Sequence, residues 1–152
     1  MDDLDGLTRL IHFHWRARRQ AFGWRLGPPN HRWKTTPYLK PLGEFTQAEL
    51  TRERLLAEAD LNAIARSLGN MRFASRRAAA RRLCSAMRHR GFMASVCHHA
   101  HQDWRAVNLA LGLDDARLRL PFHALPPHLA AITLDNVRAD ITALRHYLDR
   151  AD

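Results

Sequence analysis

The sequence MRFASRRAAARRLCSAMRHRGF, residues 71–92, decides how the rest of the chain is interpreted. Wound at about 100° per residue, it forms a helix with one apolar side and one basic side. The two sides consist of Ala79, Ala80, Leu83 and Met87, and of Arg77, Arg81, Arg82, Arg88 and His89. Ser75 is placed to cap the start of this helix, and Gly91 to end it. Because the stretch contains no acidic residue, two interpretations are open: a surface that binds phosphates, or a solvated face that only maintains solubility.

The charge of the whole chain favours the first interpretation. The 152 residues carry a formal net charge of +9, with a sequence pI of about 11.1, which is typical of nucleic-acid-binding proteins. The excess is concentrated in residues 12–40 and 72–105, whereas acids and bases nearly balance elsewhere. A chain of this length is predicted to form a single domain over residues 1–152.

Apolar residues at helical spacing predict four further helices. These cover residues 2–22, residues 46–69, residues 93–111, and a last segment that begins between 127 and 133 and ends near 149. Thr46 followed by Glu49 is the pattern of a capping box. No segment shows convincing strand alternation. The sequence therefore predicts an all-α bundle of about five helices.

A loop rich in proline and aromatic residues follows the first helix. Residues 23–43, GWRLGPPNHRWKTTPYLKPLG, contain four prolines and three glycines, so a continuous helix is excluded. The segment interleaves two kinds of side chain: the cations Arg25, Arg32, Lys34 and Lys40, and the rings Trp24, Trp33 and Tyr38. Such a loop can bind a nucleic-acid strand, with phosphates on the cations and bases on the rings. Alternatively, the rings pin the loop to the core.

The cysteines and histidines do not predict a metal site or catalysis. Cys84 and Cys97 lack metal-ligand spacing and indicate reduced thiols in a cytoplasmic protein. In the cluster around residues 97–101, at most Cys97 and His101 share a helical face, although zinc needs further ligands. Phosphate-binding loops, nucleophile elbows and HExxH patterns are absent. We therefore predict no catalytic residues, no metal and no cofactor.

The chain also carries no sign of membrane insertion or secretion. No run of about 18 apolar residues exists, and the N-terminus MDDLDG is unlike a secretory signal. The expected location is the cytoplasm.

Two alternative functions remain open. Residues 61–69, LNAIARSLG, followed by the Arg-rich helix, resemble a helix-turn-helix, although the connection is longer than that motif's turn of about 3–4 residues. This pattern leaves open a small DNA-binding regulator or packaging protein. A nuclease or metal enzyme that uses the histidines is the other alternative.

The order of these features resembles a known family. A short N-terminal helix, a loop that reaches PYLKPLGEF at residues 37–45, a helix from Thr46 and then Arg-rich helices resemble the small helical subunit of Cascade-type CRISPR effector complexes. The resemblance is best over residues 16–68. It implies a non-enzymatic subunit of an antiviral ribonucleoprotein, present in several copies, with other protein subunits as partners.

The resemblance also implies which side chains bind nucleic acid. In such subunits, Arg and Lys on helical faces contact the phosphate backbone of guide RNA and target DNA, while base pairing supplies the specificity. The residues that correspond by type are Arg16, Arg18, Arg19, Arg25, Arg32, Lys34, Arg77, Arg81, Arg82 and Arg88.

Overall fold

A computed structural model describes residues 3–69, 75–112 and 116–150. In these residues the chain forms five α-helices and one very short sheet. The elements are α1 (Asp3–Ala21), β1 (Arg25–Leu26), β2 (Thr35–Thr36), α2 (Gln47–Ser67), α3 (Arg76–Met87), α4 (Phe92–Ala110) and α5 (Pro127–Asp149). Three short 3₁₀ turns lie at Leu42–Glu44, Ala116–Arg119 and Phe122–Ala124. The predicted all-α bundle is confirmed.

Local side-chain chemistry fixes the helix ends. The hydroxyl of Thr46 accepts a hydrogen bond from the backbone N–H of Glu49, whose carboxylate accepts one from the N–H of Thr46, so the predicted capping box is present. Ser75 caps α3 by accepting from the N–H of Ala78 at 3.1 Å. Gly91 has a φ of +87°, a conformation in which other residues are strained, and this lets α3 turn directly into α4.

The helices pack mainly in two pairs, α2 along α4 and α1 along α5, and α3 lies against α5 and α4. The main core joins α2, α3, α4 and α5; its most deeply buried side chains include Ile64, Leu83, Val96, Val137 and Ile141. A second cluster, formed by Leu7, Ile11, Ala57 and Ala143, joins α1 to α2 and α5. Burial of these apolar stripes is the main source of stability.

The sequence pattern overestimates the apolar stripes at the helix ends. Met87, predicted on the apolar side of the Arg-rich helix, is 37% exposed, and Phe22 and Leu111, which continue the apolar spacing of α1 and α4, are 56% and 45% exposed. Each stands at or just after the last residue of its helix, where the chain turns away from the bundle. In α3, Ala86 takes the core position beside Leu83 in place of Met87.

The loop of residues 23–43 is ordered by a small sheet. β1 and β2 pair in parallel, with Arg25 opposite Thr35 and Leu26 opposite Thr36. Residues 71–74, the beginning of the Arg-rich stretch, lie outside the described residues. Within residues 3–69, 75–112 and 116–150, none of the helices combines the length and the apolar character needed to span a membrane.

Candidate nucleic-acid interface

Three arginines form a straight line along the outer side of α3. Arg77, Arg81 and Arg88 stand at positions i, i+4 and i+11, which fall within about 40° of one another around a helix. All three are exposed, and Leu83 and Ala86 face the core from the opposite side. Along the axis, the first two positions are about 6 Å apart and the last two about 10 Å apart. We call Arg77, Arg81 and Arg88 the basic stripe.

The basic stripe has no internal counter-charge in the described part of the chain. No carboxylate there forms an ion pair with any of its three guanidinium groups. The one acid among residues 75–112, Asp103, is paired with Arg66 of α2. Positive charge that is aligned and unneutralised attracts a polyanion, and solvent screens it only partly within the Debye length of about 8 Å.

The neighbours of the basic stripe differ in exposure. Arg82 is half-buried at its margin, whereas His89 and Arg90 are exposed in the turn between α3 and α4. Arg76 does not belong to the stripe, because its guanidinium lies over the ring of Tyr147 in α5. Arg90 was not among the predicted binding residues, although it lies in the same run of basic residues.

Three of the four cations predicted in the loop are exposed, whereas Lys40 is half-buried and ion-paired with Glu49 at 3.1 Å. Arg25 and Arg32 are exposed, and the guanidinium of Arg32 lies over the ring of Trp33 at 5.5 Å. Lys34 has a left-handed backbone with a φ of +53°, and its Nζ donates to the carbonyl oxygen of Phe22 at 3.0 Å. That bond still leaves two N–H donors of the ammonium group for another acceptor.

The three aromatic rings of the loop differ in exposure, so one is available for base stacking and two pin the loop to the core. Trp33 is 65% exposed, so its ring is accessible for stacking. Trp24 and Tyr38 are half-buried and lie against the guanidinium groups of Arg19 and Arg52, at 4.8 and 4.2 Å. These two rings hold the loop against the helices.

The three arginines of α1 do not form one surface. Arg16 is half-buried. Arg18 donates through Nε to Asp135 of α5 at 2.8 Å and forms an ion pair with it. Arg19 is only 6% exposed and donates to the side-chain oxygen of Asn136 at 2.7 Å. Arg18 and Arg19 therefore join α1 to α5, and Arg19 is not accessible to a phosphate backbone outside the protein.

Arg19 lines a cavity that was not predicted from the sequence. The cavity has a volume of about 420 Å³ and is lined by α1, α2, α4, α5, the 3₁₀ turn Ala116–Arg119 and the loop around β2. Asp60 and Asp140 line it as well. A signal for it was present in the sequence, because both aspartates occupy positions on the apolar sides of their helices, beside Ile64 and Ile141.

Within the histidine cluster of α4, His101 is part of the packing, whereas His98 is exposed. His101 is buried, and its Nε2 lies 2.7 Å from the carbonyl oxygen of Leu120, so Nε2 carries the proton and donates. Burial lowers the pKa of His101, which favours this neutral form. Burial also raises the pKa of the Cys97 thiol to about 11. In the three described segments, no three His, Cys, Asp or Glu side chains come together as a group that could hold a metal ion.

The fold and this surface define a small all-α protein with an exposed line of arginines. Comparisons with models of known protein families, with curated proteins and with solved structures find no match.

Proposed function

We propose that this chain is a non-catalytic nucleic-acid-binding protein that holds a phosphate backbone along the basic stripe. The observation that carries the proposal is the alignment of three exposed guanidinium groups on a rigid helix, without a carboxylate partner in the described residues. Arginine suits this role, because its planar group can bind a phosphate through two parallel hydrogen bonds.

The spacing of the basic stripe supports contacts with one strand. Arg77 and Arg81 are about 6 Å apart along the helix axis, a spacing at which two guanidinium groups can contact phosphates of the same strand. Contacts of this kind fix the position of the strand and carry no sequence information. We therefore expect the basic stripe to bind nucleic acid independently of its sequence.

The loop of residues 23–43 supplies a second element of the proposal. Trp33 is exposed beside Arg32, and the exposed Arg25 stands on β1. An exposed ring next to a guanidinium group can stack on an unpaired base while the cation contacts its phosphate. The loop would therefore favour single strands over duplexes.

The resemblance to the small subunit of Cascade-type CRISPR complexes extends the proposal. In such a complex, this chain would support the guide RNA and target DNA by charge, while base pairing would select the sequence. It would then bind alongside other protein subunits and further copies of itself.

Salt-dependent binding to unrelated sequences tests the proposal. Fluorescence anisotropy with labelled 20-nucleotide single strands and duplexes, each in several sequences, should give dissociation constants that vary by less than about threefold with sequence. The logarithm of the affinity should fall linearly with the logarithm of the salt concentration. One duplex preferred by orders of magnitude would instead identify a DNA-binding regulator.

Co-purification tests the CRISPR extension separately. A tagged chain expressed from its native locus should retain RNA of uniform length together with other proteins after a nuclease-treated wash. Recovery of the chain alone would contradict membership of a ribonucleoprotein complex, without affecting the binding measured in isolation.

Trp33→Ala is expected to weaken single-strand binding by about tenfold, because stacking of one base on an aromatic ring contributes about 1–3 kcal/mol. Duplex binding should change less than twofold, since paired bases do not reach the ring. Anisotropy with both substrates measures the difference. Trp33→Phe is the matched control and should retain most of the affinity; equal losses for the two substrates would remove stacking from the proposal.

A further inference from the structure

The cavity lies between the helices and is partly open to solvent, away from the outer side of α3. Its volume of about 420 Å³ lies within the range of about 300–1,000 Å³ that is typical of small-molecule sites. Six parts of the chain converge on it: α1, α2, α4, α5, the 3₁₀ turn Ala116–Arg119 and the loop that contains β2. Its lining is mainly apolar but includes several charged side chains, and these indicate what the cavity can bind.

Two arginines that interact electrostatically, Arg19 and Arg117, line this cavity. Arg19 is buried, and in the described residues its only hydrogen-bond acceptor is the neutral amide of Asn136. Burial, together with the charge of Arg117, lowers the pKa of Arg19 to about 10, so the guanidinium remains charged near neutral pH. The charge of Asp135 acts in the opposite direction, but this carboxylate is ion-paired with Arg18. A buried cation without an ion pair of its own is costly, and an anionic group in the cavity would supply that pair.

A third guanidinium group offers an unused donor. Arg52 forms an ion pair with Glu53 through Nη1 at 3.2 Å, and its Nη2 lies 3.4 Å from the amide oxygen of Asn108. Its Nε is buried and has no acceptor in the described part of the chain. A bound acceptor atom would satisfy this group as well.

Four aromatic residues line the cavity: Trp15, Trp24, Tyr38 and Trp104. Guanidinium groups lie over two of these rings, with Arg52 4.2 Å from the centre of the Tyr38 ring and Arg117 4.2 Å from that of Trp104. Aromatic and guanidinium planes of this kind stack on planar ligands.

An acid pair supplies both a donor and acceptors. The carboxyl groups of Asp60 and Asp140 are close enough for the charge of Asp60 to raise the pKa of Asp140; Asp140 is 3% exposed and Asp60 is half-buried. Two adjacent carboxyl groups with little access to water share a proton, because they cannot both be ionised at low cost. Such a pair complements a heterocycle edge that carries N–H groups beside an acceptor, as nucleobases do.

We infer that this cavity binds a nucleoside 5′-monophosphate, with the base stacked between the aromatic walls and read by the Asp60–Asp140 pair, and with the phosphate on Arg19. Each of the three parts of such a ligand has a counterpart in the lining: a planar heterocycle, polar base edges and an anion. The inference does not depend on strand binding by the basic stripe, since the two use different residues.

Isothermal titration calorimetry on the full chain tests this assignment. The probes are the four common nucleoside 5′-monophosphates, the corresponding nucleosides and inorganic phosphate. At least one monophosphate should bind with a Kd of about 10 µM. Its nucleoside should bind at least 30-fold more weakly, and inorganic phosphate should give no heat at 1 mM. Absence of binding by all four monophosphates at 1 mM, or equal affinity for phosphate alone, would overturn the assignment.

Matched variants locate the binding. Arg19→Met removes the charge but keeps the bulk of the side chain, and it should weaken nucleotide binding at least 30-fold. Arg9→Met, the same change at an exposed position of α1, should leave binding unchanged. If Arg19→Met does not fold, as judged by circular dichroism, Arg52→Gln replaces it and should weaken binding at least tenfold. Wild-type affinity in the folded variant used would exclude this cavity as the site.

A substitution on α3 separates this inference from the proposed function. Replacing the basic stripe with alanine should leave nucleotide affinity within twofold of wild type. A loss of nucleotide binding in that variant would place the nucleotide on the outer surface and refute the cavity site.

Discussion

Replacing Arg77, Arg81 and Arg88 together with alanine is expected to weaken nucleic-acid binding about 100-fold at low salt. Each guanidinium group that contacts a phosphate releases counterions on binding, so loss of three such contacts should also reduce the slope of log affinity against log salt by about 2.7 for a duplex. Anisotropy titrations at several salt concentrations measure both quantities. The fold should persist, because alanine is the best helix former and all three positions are exposed.

The control for this variant has to remove the same charge from other exposed helix positions. Arg9 of α1 and Arg138 and Arg145 of α5 are exposed, and their joint replacement with alanine changes the net charge equally. The control should lose less than fivefold in affinity and change the salt slope by less than one. If both variants lose the same affinity, net charge and not the basic stripe governs binding.

Features that depend on residues three or four positions apart could be predicted from the sequence. The capping box at Thr46, the cap at Ser75 and the left-handed turn at Gly91 involve only groups within one helical turn. The alignment of the basic stripe follows in the same way from the helical repeat. This is why the helix count and the outer side of α3 agree with the sequence analysis.

The contacts of Arg18 and Arg19 could not be predicted from residues within one helical turn. Their partners, Asp135 and Asn136, are 117 residues away in the sequence, and only the packing of α1 along α5 brings them together. A basic run at the end of a helix therefore looks the same in a sequence whether it faces solvent or a neighbouring helix. Burial, not residue type, separates Arg19 from the exposed arginines.

The different exposure of the two tryptophans in the loop could not be predicted from the sequence either. Trp24 and Trp33 have similar sequence surroundings, yet one covers Arg19 and the other is exposed. The difference arises because β1 and β2 fix the path of the loop, and strands of two residues leave no alternating pattern to detect. Only the tertiary structure separates the ring that pins the loop from the ring that is accessible.

The two aspartates of the cavity make the stability of the folded protein depend on pH. Burial, followed by the charge of Asp60, raises the pKa of Asp140 well above its usual value, and burial raises the pKa of Asp60 to about 6. Glu53 contributes in the same direction to both. The folded protein therefore retains protons that the unfolded chain releases above about pH 4. The contribution of this pair to stability is fully present below that pH and is lost as the pH rises through 6 and above.

Asp140→Asn is accordingly expected to stabilise the protein at pH 8 by about 2 kcal/mol, because the amide cannot ionise and can donate to Asp60. At pH 3.5 the variant and the wild type should differ by less than about 0.5 kcal/mol, since the carboxyl group of Asp140 is then largely protonated in both the folded and the unfolded wild type. Urea unfolding followed by circular dichroism from pH 3.5 to 8 measures the difference at each pH.

Asp149→Asn provides the comparison, since Asp149 belongs to the same helix but is exposed. Its free energy of unfolding should stay within about 0.5 kcal/mol of wild type at every pH. If the curve for Asp140→Asn instead runs parallel to that of wild type, the two carboxyl groups do not share a proton in the folded protein. The pair would then be ionised, its charge balanced by the guanidinium groups around the cavity, and Arg19 would need no external anion.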